Sequence, residues 1–186
     1  MKKIITLAIL LLLVLGCSKP ADEPVDEPPP PPLPPPPEPE IMDLSLTSPA
    51  FEDGQPIPQK YTCWGDNANP PLKIDNIPTG TQSLALIMDD PDAPSGTWVH
   101  WLVWNMDPGT TDIKEDHYFI NEGKNSWYES KYGGPCPPSG THRYFFKLYA
   151  LDEQLNLPSG TQKKHLEGAM KGHILGQGEL IGTVSK

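Results

Sequence analysis

Residues 83–104 read SLALIMDDPDAPSGTWVHWLVW, and this stretch sets the architecture that the rest of the chain must fit. Residues 83–88 are almost entirely apolar, which is typical of a strand buried on both faces of a covered sheet. Residues 98–106 have the same character. The segment between them is rich in Asp, Pro and Gly, which favour turns. The stretch therefore predicts two central strands joined by an acidic loop that its prolines stiffen.

Shorter strand patterns lie on either side of this stretch. Residues 43–48 alternate polar and apolar side chains, as do the residues around Leu72 and Ile74, and residues 144–151 and 178–184 predict further strands. Five or more strands at this spacing, separated by turn signals, indicate a mainly β, sandwich-like fold. One amphipathic helix is expected, with capping residues at 159–161, apolar residues through Met170 and a stop at Gly172.

The N-terminus reads as a targeting signal. Two lysines precede an apolar run, residues 4–15, that is too short to cross a bilayer core as a helix, which needs about 20 residues. The run ends in Gly16-Cys17, which resembles a bacterial lipobox, whose signal peptide (residues 1–16) is cleaved before the cysteine. Cys17 would then carry lipids such as palmitate. We expect a lipid-anchored protein of the cell envelope, facing the periplasm or sorted to the outer membrane; an ordinary signal peptide is the alternative.

Residues 17–40 combine the lipidated cysteine with a proline-rich acidic linker. Residues 20–40 hold 12 of the chain's 25 prolines, six acids and no base. Such a segment has too little apolar surface to fold, and consecutive prolines favour an extended rod that reaches at most about 65 Å. It is interpreted as a spacer that holds the following domain away from the membrane. A docking motif for a proline-reading partner is the alternative.

Residues 41–186 have the ordinary length of one domain. They carry 18 acids and 11 bases without any basic run, within a chain of formal charge −10. Nucleic-acid binding is therefore not expected, because it depends on basic residues that neutralise phosphates. Apart from Cys17, the chain has two cysteines, Cys63 and Cys136, an even number in an expected oxidising compartment. They could form a disulfide or remain as two buried thiols, and the sequence leaves both possibilities open. Their spacing fits no usual zinc pattern, and no cofactor is expected.

Polar side chains cluster where three predicted strands begin or end. Asp90 and Asp92 share one side of the acidic loop if the chain stays extended there, and His142 shares a strand face with Tyr144. If these strands are neighbours of the strand that holds His100, the carboxylates, imidazoles and phenol meet at one cavity mouth. By the same alternation, His100 shares its face with three apolar residues, Trp98, Leu102 and Trp104.

The residue types of this cluster favour a ligand of mixed charge. Imidazole, phenol and the backbone amides of the loop at Gly133 and Gly134 can donate to an anionic oxygen. Two carboxylates would repel a bare phosphate but would suit the ammonium of a zwitterion such as phosphoethanolamine. The alternatives remain open: turn carboxylates, core histidines and a structural phenol, with the two glycines serving only a tight turn.

Three motifs resemble the signature blocks of the phosphatidylethanolamine-binding protein family, in its bacterial Raf-kinase-inhibitor-like branch. The motifs are DPDAP at residues 90–94, WVHW at 98–101 and GGPCPPSGTHRY at 133–144. The resemblance spans about residues 44–184. It implies an antiparallel β-sandwich with a few peripheral helices and a pocket for phosphate or a phospholipid head group. By position that pocket would comprise Asp90, Asp92, His100, Gly134, His142 and Tyr144.

Two departures from the family pattern bear on ligand preference rather than on the fold. Trp64 follows Cys63 where relatives usually have Asp, and Asp89 adds a carboxylate beside the DPDAP motif. Both could change which ligand the pocket prefers.

The sequence favours a binding protein that holds a phosphate or phosphorylated head group and catalyses nothing. An enzyme, or a metal-assisted hydrolase using the Asp and His cluster, is one alternative. The chain shows no recognisable motif for a serine or cysteine nucleophile, and the nearest candidate for this role is Cys136, near His142. An inhibitor module for a protease or kinase is the other alternative, since the family name implies it, but no protein partner can be named.

Overall fold

The computed structural model describes residues 40–186, which form eight strands, one α-helix and a short 3-10 turn. The strands are β1 (Met42–Asp43), β2 (Ser45–Thr47), β3 (Leu72–Asp75), β4 (Ser83–Asp90), β5 (Trp98–Met106), β6 (Asp112–Ile113), β7 (Thr141–Leu151) and β8 (Ile174–Ser185). The helix α1 spans Lys163–Met170, and the 3-10 turn spans Gln59–Tyr61. The expected signal peptide, Cys17 and the linker up to residue 39 lie outside the described residues.

The strands form two sheets that pack face to face. The larger sheet has the order β1-β8-β7-β4-β5, and the smaller sheet has the order β2-β3-β6. Every pairing is antiparallel except that of β1 with β8. The mainly β architecture of two sheets with few helices is therefore confirmed.

The large sheet is covered on both faces, so β4 is buried at all eight positions. On one face, Leu86 and Met88 pack in a cluster with Leu46 and Ile74 of the small sheet. On the other face, Ala85 and Ile87 belong to a second cluster that includes residues of α1. An apolar run without alternation is the expected sequence of a strand in this position.

The predicted strand at residues 43–48 is two strands in different sheets. β1 pairs with β8 in the large sheet, whereas β2 pairs with β3 in the small sheet. Leu44 lies between them, and its backbone N–H donates to the carbonyl of Gln177 at 2.8 Å. The alternating pattern identified extended chain correctly, but alternation alone does not tell which sheet each half joins.

Both edges of the large sheet are paired along part of their length. At one edge β1 lies beside β8. At the other, the loop residues 121–123 run along β5: the Trp104 N–H donates to the Asn121 carbonyl at 3.2 Å and the Gly123 N–H to the Leu102 carbonyl at 3.0 Å.

The predicted helix is present but begins later than its capping residues suggested. Gln162 precedes α1 without a side-chain cap, while the Thr161 hydroxyl donates to the Pro158 carbonyl at 2.7 Å and so serves the preceding turn. The helix ends at Met170, and Gly172 adopts a φ of +88°, which suits glycine after a helix. Within residues 40–186, no helix is long and apolar enough to cross a membrane.

Candidate functional site

Asp90 and His142 form a buried hydrogen-bonded pair at the ends of β4 and β7. The His142 Nδ1 lies 2.7 Å from Asp90 Oδ2, and because a carboxylate oxygen accepts, the imidazole donates. The other oxygen, Oδ1, accepts from the backbone N–H of Asp92 at 2.8 Å. Asp90 is 3% exposed and His142 6%, so this pairing orients a carboxylate that has little contact with solvent.

His100 reaches the same region because β5 contains a bulge. Met88 pairs with Trp101, but the next residue, Asp89, pairs with Val99, so His100 is an extra residue without an opposite partner. The bulge turns His100 toward β7, where its ring meets the ring of Tyr144 edge-on at a centroid distance of 5.1 Å. A bulge of this kind re-aims a side chain at the rim of a sheet.

The bulge also corrects one expectation from strand alternation. His100 shares its side of the sheet with Trp98, as expected, but not with Leu102 and Trp104. Those two residues belong to the cluster that packs against α1, on the opposite face. The expectation was wrong because the extra residue shifts the alternation by one position.

The hydrogen bonding of His100 defines which ring nitrogen is available. Its Nδ1 lies 2.6 Å from the Gly133 carbonyl oxygen, and a carbonyl can only accept, so Nδ1 carries the proton. Burial lowers the pKa of His100, which favours the neutral ring. In that form Nε2 is a hydrogen-bond acceptor.

Tyr144 supplies a buried hydroxyl with unused hydrogen-bonding capacity. Its side chain is fully buried, and its oxygen has no hydrogen-bond partner among residues 40–186. Burial, and then the charge of Asp90, raise the pKa of the phenol, so it stays protonated and can donate. The alternation of buried residues along β7 places Tyr144 on the same face as His142, which confirms that expectation.

These elements surround a cavity of about 270 Å³. It is lined by Asp90, Ala93, Pro94, Ser95, Trp98, His100, Trp127, Cys136 and Pro138. Trp98 and Trp127 meet edge-on at a centroid distance of 5.4 Å, and the buried Nε1 of Trp98 has no partner among the described residues. The cavity thus combines aromatic walls with one carboxylate, one imidazole and one indole donor.

Of the six predicted site residues, only Asp90 and His100 line this cavity; His142 and Tyr144 lie behind them as buried neighbours, and Asp92 and Gly134 are engaged elsewhere. The Asp92 carboxylate binds the Arg143 side chain through both oxygens, at 2.8 and 2.9 Å, and also accepts from the Arg143 backbone N–H. This hydrogen bonding lowers the pKa of Asp92 to about 2. The Gly134 N–H donates to the side-chain oxygen of Asn67 at 2.7 Å, so this amide already has a partner.

Gly134 has a structural requirement of its own. A Cβ at this position would lie 2.8 Å from the backbone of both Tyr61 and Thr62, closer than real contacts allow. The glycine therefore permits the loop of residues 133–138 to press against the segment of residues 61–67. It lines a smaller adjoining cavity of about 200 Å³ together with Asn67 and Trp127.

A disulfide holds the same two segments together. The sulfurs of Cys63 and Cys136 are bonded in the structure, with the two Cα atoms 5.5 Å apart. The Cys63 N–H donates to the Pro135 carbonyl at 3.1 Å, and the Tyr132 hydroxyl donates to the Tyr61 carbonyl at 2.9 Å. The cavity wall formed by Cys136 is therefore fixed by covalent and hydrogen bonds.

The two departures from the family pattern both lie away from the cavity. Asp89 is fully buried and bonds to the ammonium groups of Lys147 and Lys163, so it connects β4 to α1. Trp64 is 42% exposed and lines a separate groove of about 610 Å³, in which Lys186 is the sole charged lining residue. The cavity of about 270 Å³ is a better candidate than this groove, because its lining includes the buried carboxylate of Asp90 and the buried imidazole of His100.

Sequence reasoning missed Trp127. It lies in an irregular loop, where no periodic pattern predicts the direction of a side chain, yet its ring contacts His100 at a centroid distance of 5.1 Å. The sequence signal that could have drawn attention to it is its position seven residues before Gly134, close to the GGPCPP loop.

Residues 40–186 contain no group of three or more His, Cys, Asp or Glu side chains placed to hold a metal ion. The metal-assisted alternative would use Asp90, Asp92, His100 and His142. Three of these four side chains already have side-chain partners within the protein: Asp92 binds Arg143, and Asp90 binds His142.

Comparison with known proteins identifies the family. Residues 47–185 match the family model described as phosphatidylethanolamine-binding protein. A UPF0098 protein of Methanothermobacter thermautotrophicus is 47% identical over 146 residues, covering 75% of this chain and 97% of its own. A UPF0098 protein of Pyrococcus horikoshii is 41% identical over 193 residues, covering 98% of this chain and 88% of its own.

Two crystal structures resemble the fold. A homologue of phosphatidylethanolamine-binding protein from Chlamydia trachomatis has a TM-score of 0.75 and 42% identity, covering 77% of this chain and 98% of its own. Escherichia coli YbcL, described as a member of the mammalian family, has a TM-score of 0.73 and 25% identity, covering 78% and 99%. The chain therefore belongs to the phosphatidylethanolamine-binding protein family.

Proposed function

We propose that this chain is a binding protein of the cell envelope whose cavity receives a phosphate or a phosphorylated head group, such as phosphoethanolamine. The observation that carries the proposal is the mixed polarity of the cavity, an open cleft with Asp90 and His100 buried in its wall. Asp90 and the Nε2 of His100 are hydrogen-bond acceptors, whereas the indole N–H of Trp98 is a donor without a partner among the described residues. Apolar walls with a few directed polar groups are typical of a small-molecule site.

We further propose that the protein binds without catalysing a reaction. Cys136, the nearest candidate nucleophile, is bonded to Cys63 and is therefore not a free thiol. Among the described residues, the His142 ring has no hydrogen bond to a serine or cysteine side chain, the group from which a base would accept a proton. Neither observation matches the arrangement of a base beside a nucleophile.

Calorimetric titration of the purified protein with phosphoethanolamine, inorganic phosphate and zinc tests the proposal. We expect binding of phosphoethanolamine that Trp98→Phe weakens about tenfold, because the variant keeps an aromatic wall but removes the indole donor. Asp92→Asn is the matched control from the same motif and should bind as the unaltered protein does, since Asp92 faces Arg143 outside the cavity. Failure of every phosphorylated probe to bind at neutral pH would refute the proposal.

The envelope location rests on residues 1–17 alone, and lipidation of Cys17 is its central claim. We expect the mature protein to fractionate with membranes and its N-terminal peptide to carry acyl chains by mass spectrometry. Cys17→Ala should release the protein from the membrane fraction without affecting ligand binding. An unmodified N-terminal peptide would contradict this part of the proposal.

A further inference from the structure

The disulfide between Cys63 and Cys136 lies at the protein surface. Both cysteines are exposed to solvent, although Thr62 and Pro135, which precede them in the chain, are buried. A disulfide enclosed in a core is shielded from thiols in solution, whereas an exposed one can be attacked by them. The position of this disulfide therefore favours exchange with dissolved thiols.

The disulfide also forms part of the wall of two cavities. The cavity of about 200 Å³ beside Gly134, called the disulfide cavity below, is lined by both cysteines together with Trp127 and Glu129. Cys136 lines the cavity of about 270 Å³ as well, whereas Cys63 does not. A small thiol can therefore approach Cys136 from two spaces and Cys63 from only one of them.

Hydrogen bonds hold the loop of residues 133–138 in place independently of the sulfur atoms. The Cys63 N–H donates to the Pro135 carbonyl at 3.1 Å, and the Gly133 N–H donates to the His100 carbonyl at 3.0 Å. The His100 ring donates in return to the Gly133 carbonyl at 2.6 Å. Because these contacts remain when the S–S bond opens, the disulfide can open and close again on the folded protein.

We propose that the Cys63–Cys136 disulfide is a thiol-exchange site of the folded protein, and that its substrate is a small thiol such as glutathione. The thiolate attacks the Cys136 sulfur and forms a new S–S bond with it. The bond to Cys63 breaks, and its electron pair stays on the Cys63 sulfur, which takes a proton from water. Since Cys136 lines both cavities, the attached group stands in the wall of both.

A second thiol completes the exchange. It attacks the mixed disulfide and leaves as the symmetrical disulfide of the small thiol, while Cys136 regains its proton. Two small thiols are oxidised and the protein disulfide is reduced to two thiols. This inference does not depend on the proposed function, because it concerns the disulfide and not the occupant of the cavity of about 270 Å³.

The test is the rate at which the purified protein exchanges with glutathione at several urea concentrations below its unfolding transition. Acid stops the reaction, free thiols are then alkylated, and peptide mapping by mass spectrometry reads Cys63 and Cys136 separately. The same reaction on protein that is fully unfolded in urea supplies the reference rate.

We expect the folded protein to react within about a hundredfold of the reference rate, with glutathione on Cys136 and the alkyl group on Cys63. Low urea should leave this rate unchanged. An exchange that required global unfolding would be slower by about a thousandfold or more, and each molar of urea would accelerate it about fivefold or more. Such behaviour would overturn the proposal, and so would attachment of glutathione mainly to Cys63.

Glu129 allows the place of the reaction to be tested. It is the sole charged lining residue of the disulfide cavity among the described residues, and its exposed ion pair with Lys131, at 3.3 Å, offsets its charge only in part. Cationic cysteamine should therefore react faster than anionic glutathione, and Glu129→Gln should lower the ratio of the two rates about threefold.

Glu52→Gln is the matched control, because it removes the same charge at an exposed position that lines neither cavity. We expect its ratio of rates to equal that of the unaltered protein. An equal decrease in both variants would overturn the proposal, since exchange would then respond to the overall charge of the protein and not to the disulfide cavity.

Discussion

Tyr144→Phe should separate the contribution of a buried hydroxyl to ligand binding from its contribution to folding. Tyr144 is fully buried, and its hydroxyl makes no hydrogen bond to another described residue. The hydroxyl lies near the Cys136 backbone and Asp90 without a well-aligned hydrogen bond to either, and both Asp90 oxygens keep their own partners when it is removed. We therefore expect the free energy of unfolding to change by no more than about 0.5 kcal/mol, as at sites outside a hydrogen-bond network.

Tyr132→Phe is the matched control on the same scaffold. Tyr132 is also buried, but its hydroxyl donates to the Tyr61 carbonyl at 2.9 Å. The substitution strands that carbonyl, which costs about 1–3 kcal/mol. For a domain of this size each kcal/mol lowers the melting temperature by about 2–4 °C, so the control should melt visibly earlier.

For ligand affinity we expect the opposite order: Tyr144→Phe should have the larger effect and Tyr132→Phe the smaller. Tyr144 is not a lining residue of the cavity, but its ring contacts the ring of His100, which is, at a centroid distance of 5.1 Å. We predict that a ligand bound against His100 accepts a hydrogen bond from the Tyr144 hydroxyl, so that loss of this hydroxyl weakens phosphoethanolamine binding about tenfold, or 1.4 kcal/mol. Tyr132→Phe should bind normally at a temperature where it remains folded. Differential scanning calorimetry and titration calorimetry measure the two effects. If Tyr144→Phe destabilises as much as Tyr132→Phe and binds normally, the hydroxyl is a structural group and the reasoning is refuted.

Two further predictions concern stability. Glu122 is buried and accepts from the Trp101 indole at 2.9 Å, and burial raises its pKa, so the folded state holds the proton more tightly than the unfolded state. The unaltered protein should therefore lose stability as the pH rises above 4.5 and through the raised pKa of Glu122. In urea denaturation, the stability of Glu122→Gln relative to the unaltered protein should increase between about pH 4 and pH 8. A stability difference that does not change with pH would contradict this. Cys63→Ser with Cys136→Ser opens a link across 73 residues and should cost about 2–4 kcal/mol, measured against the oxidised protein; an unchanged denaturation midpoint would show that the hydrogen bonds alone hold the two segments.

The parts of the fold that follow from local periodicity were predictable. Alternation along β7 correctly placed His142 and Tyr144 on one face, because an uninterrupted strand keeps its period of two. The unbroken apolar run of β4 correctly indicated a strand covered on both sides.

The parts that depend on register or on distant partners were not predictable. The extra residue at His100 appears only when β4 and β5 are aligned, since nothing in the local sequence marks a bulge. Asp92 is hydrogen-bonded to Arg143, which lies 51 positions away along the chain. The N–H of Gly134 is hydrogen-bonded to Asn67, which lies 67 positions away. Motif composition brought both residues to attention, but tertiary contacts occupy their polar groups.

The covered edges of the large sheet have a consequence for self-association. A strand with free backbone groups can be lengthened into an intermolecular sheet by a second molecule. Here the pairing of β1 with β8, and of residues 121–123 with β5, uses part of the groups through which such growth would begin. Along these paired lengths, fibril-like growth would first require the short segment to peel away, so conditions that loosen it should promote precipitation before the buried core unfolds.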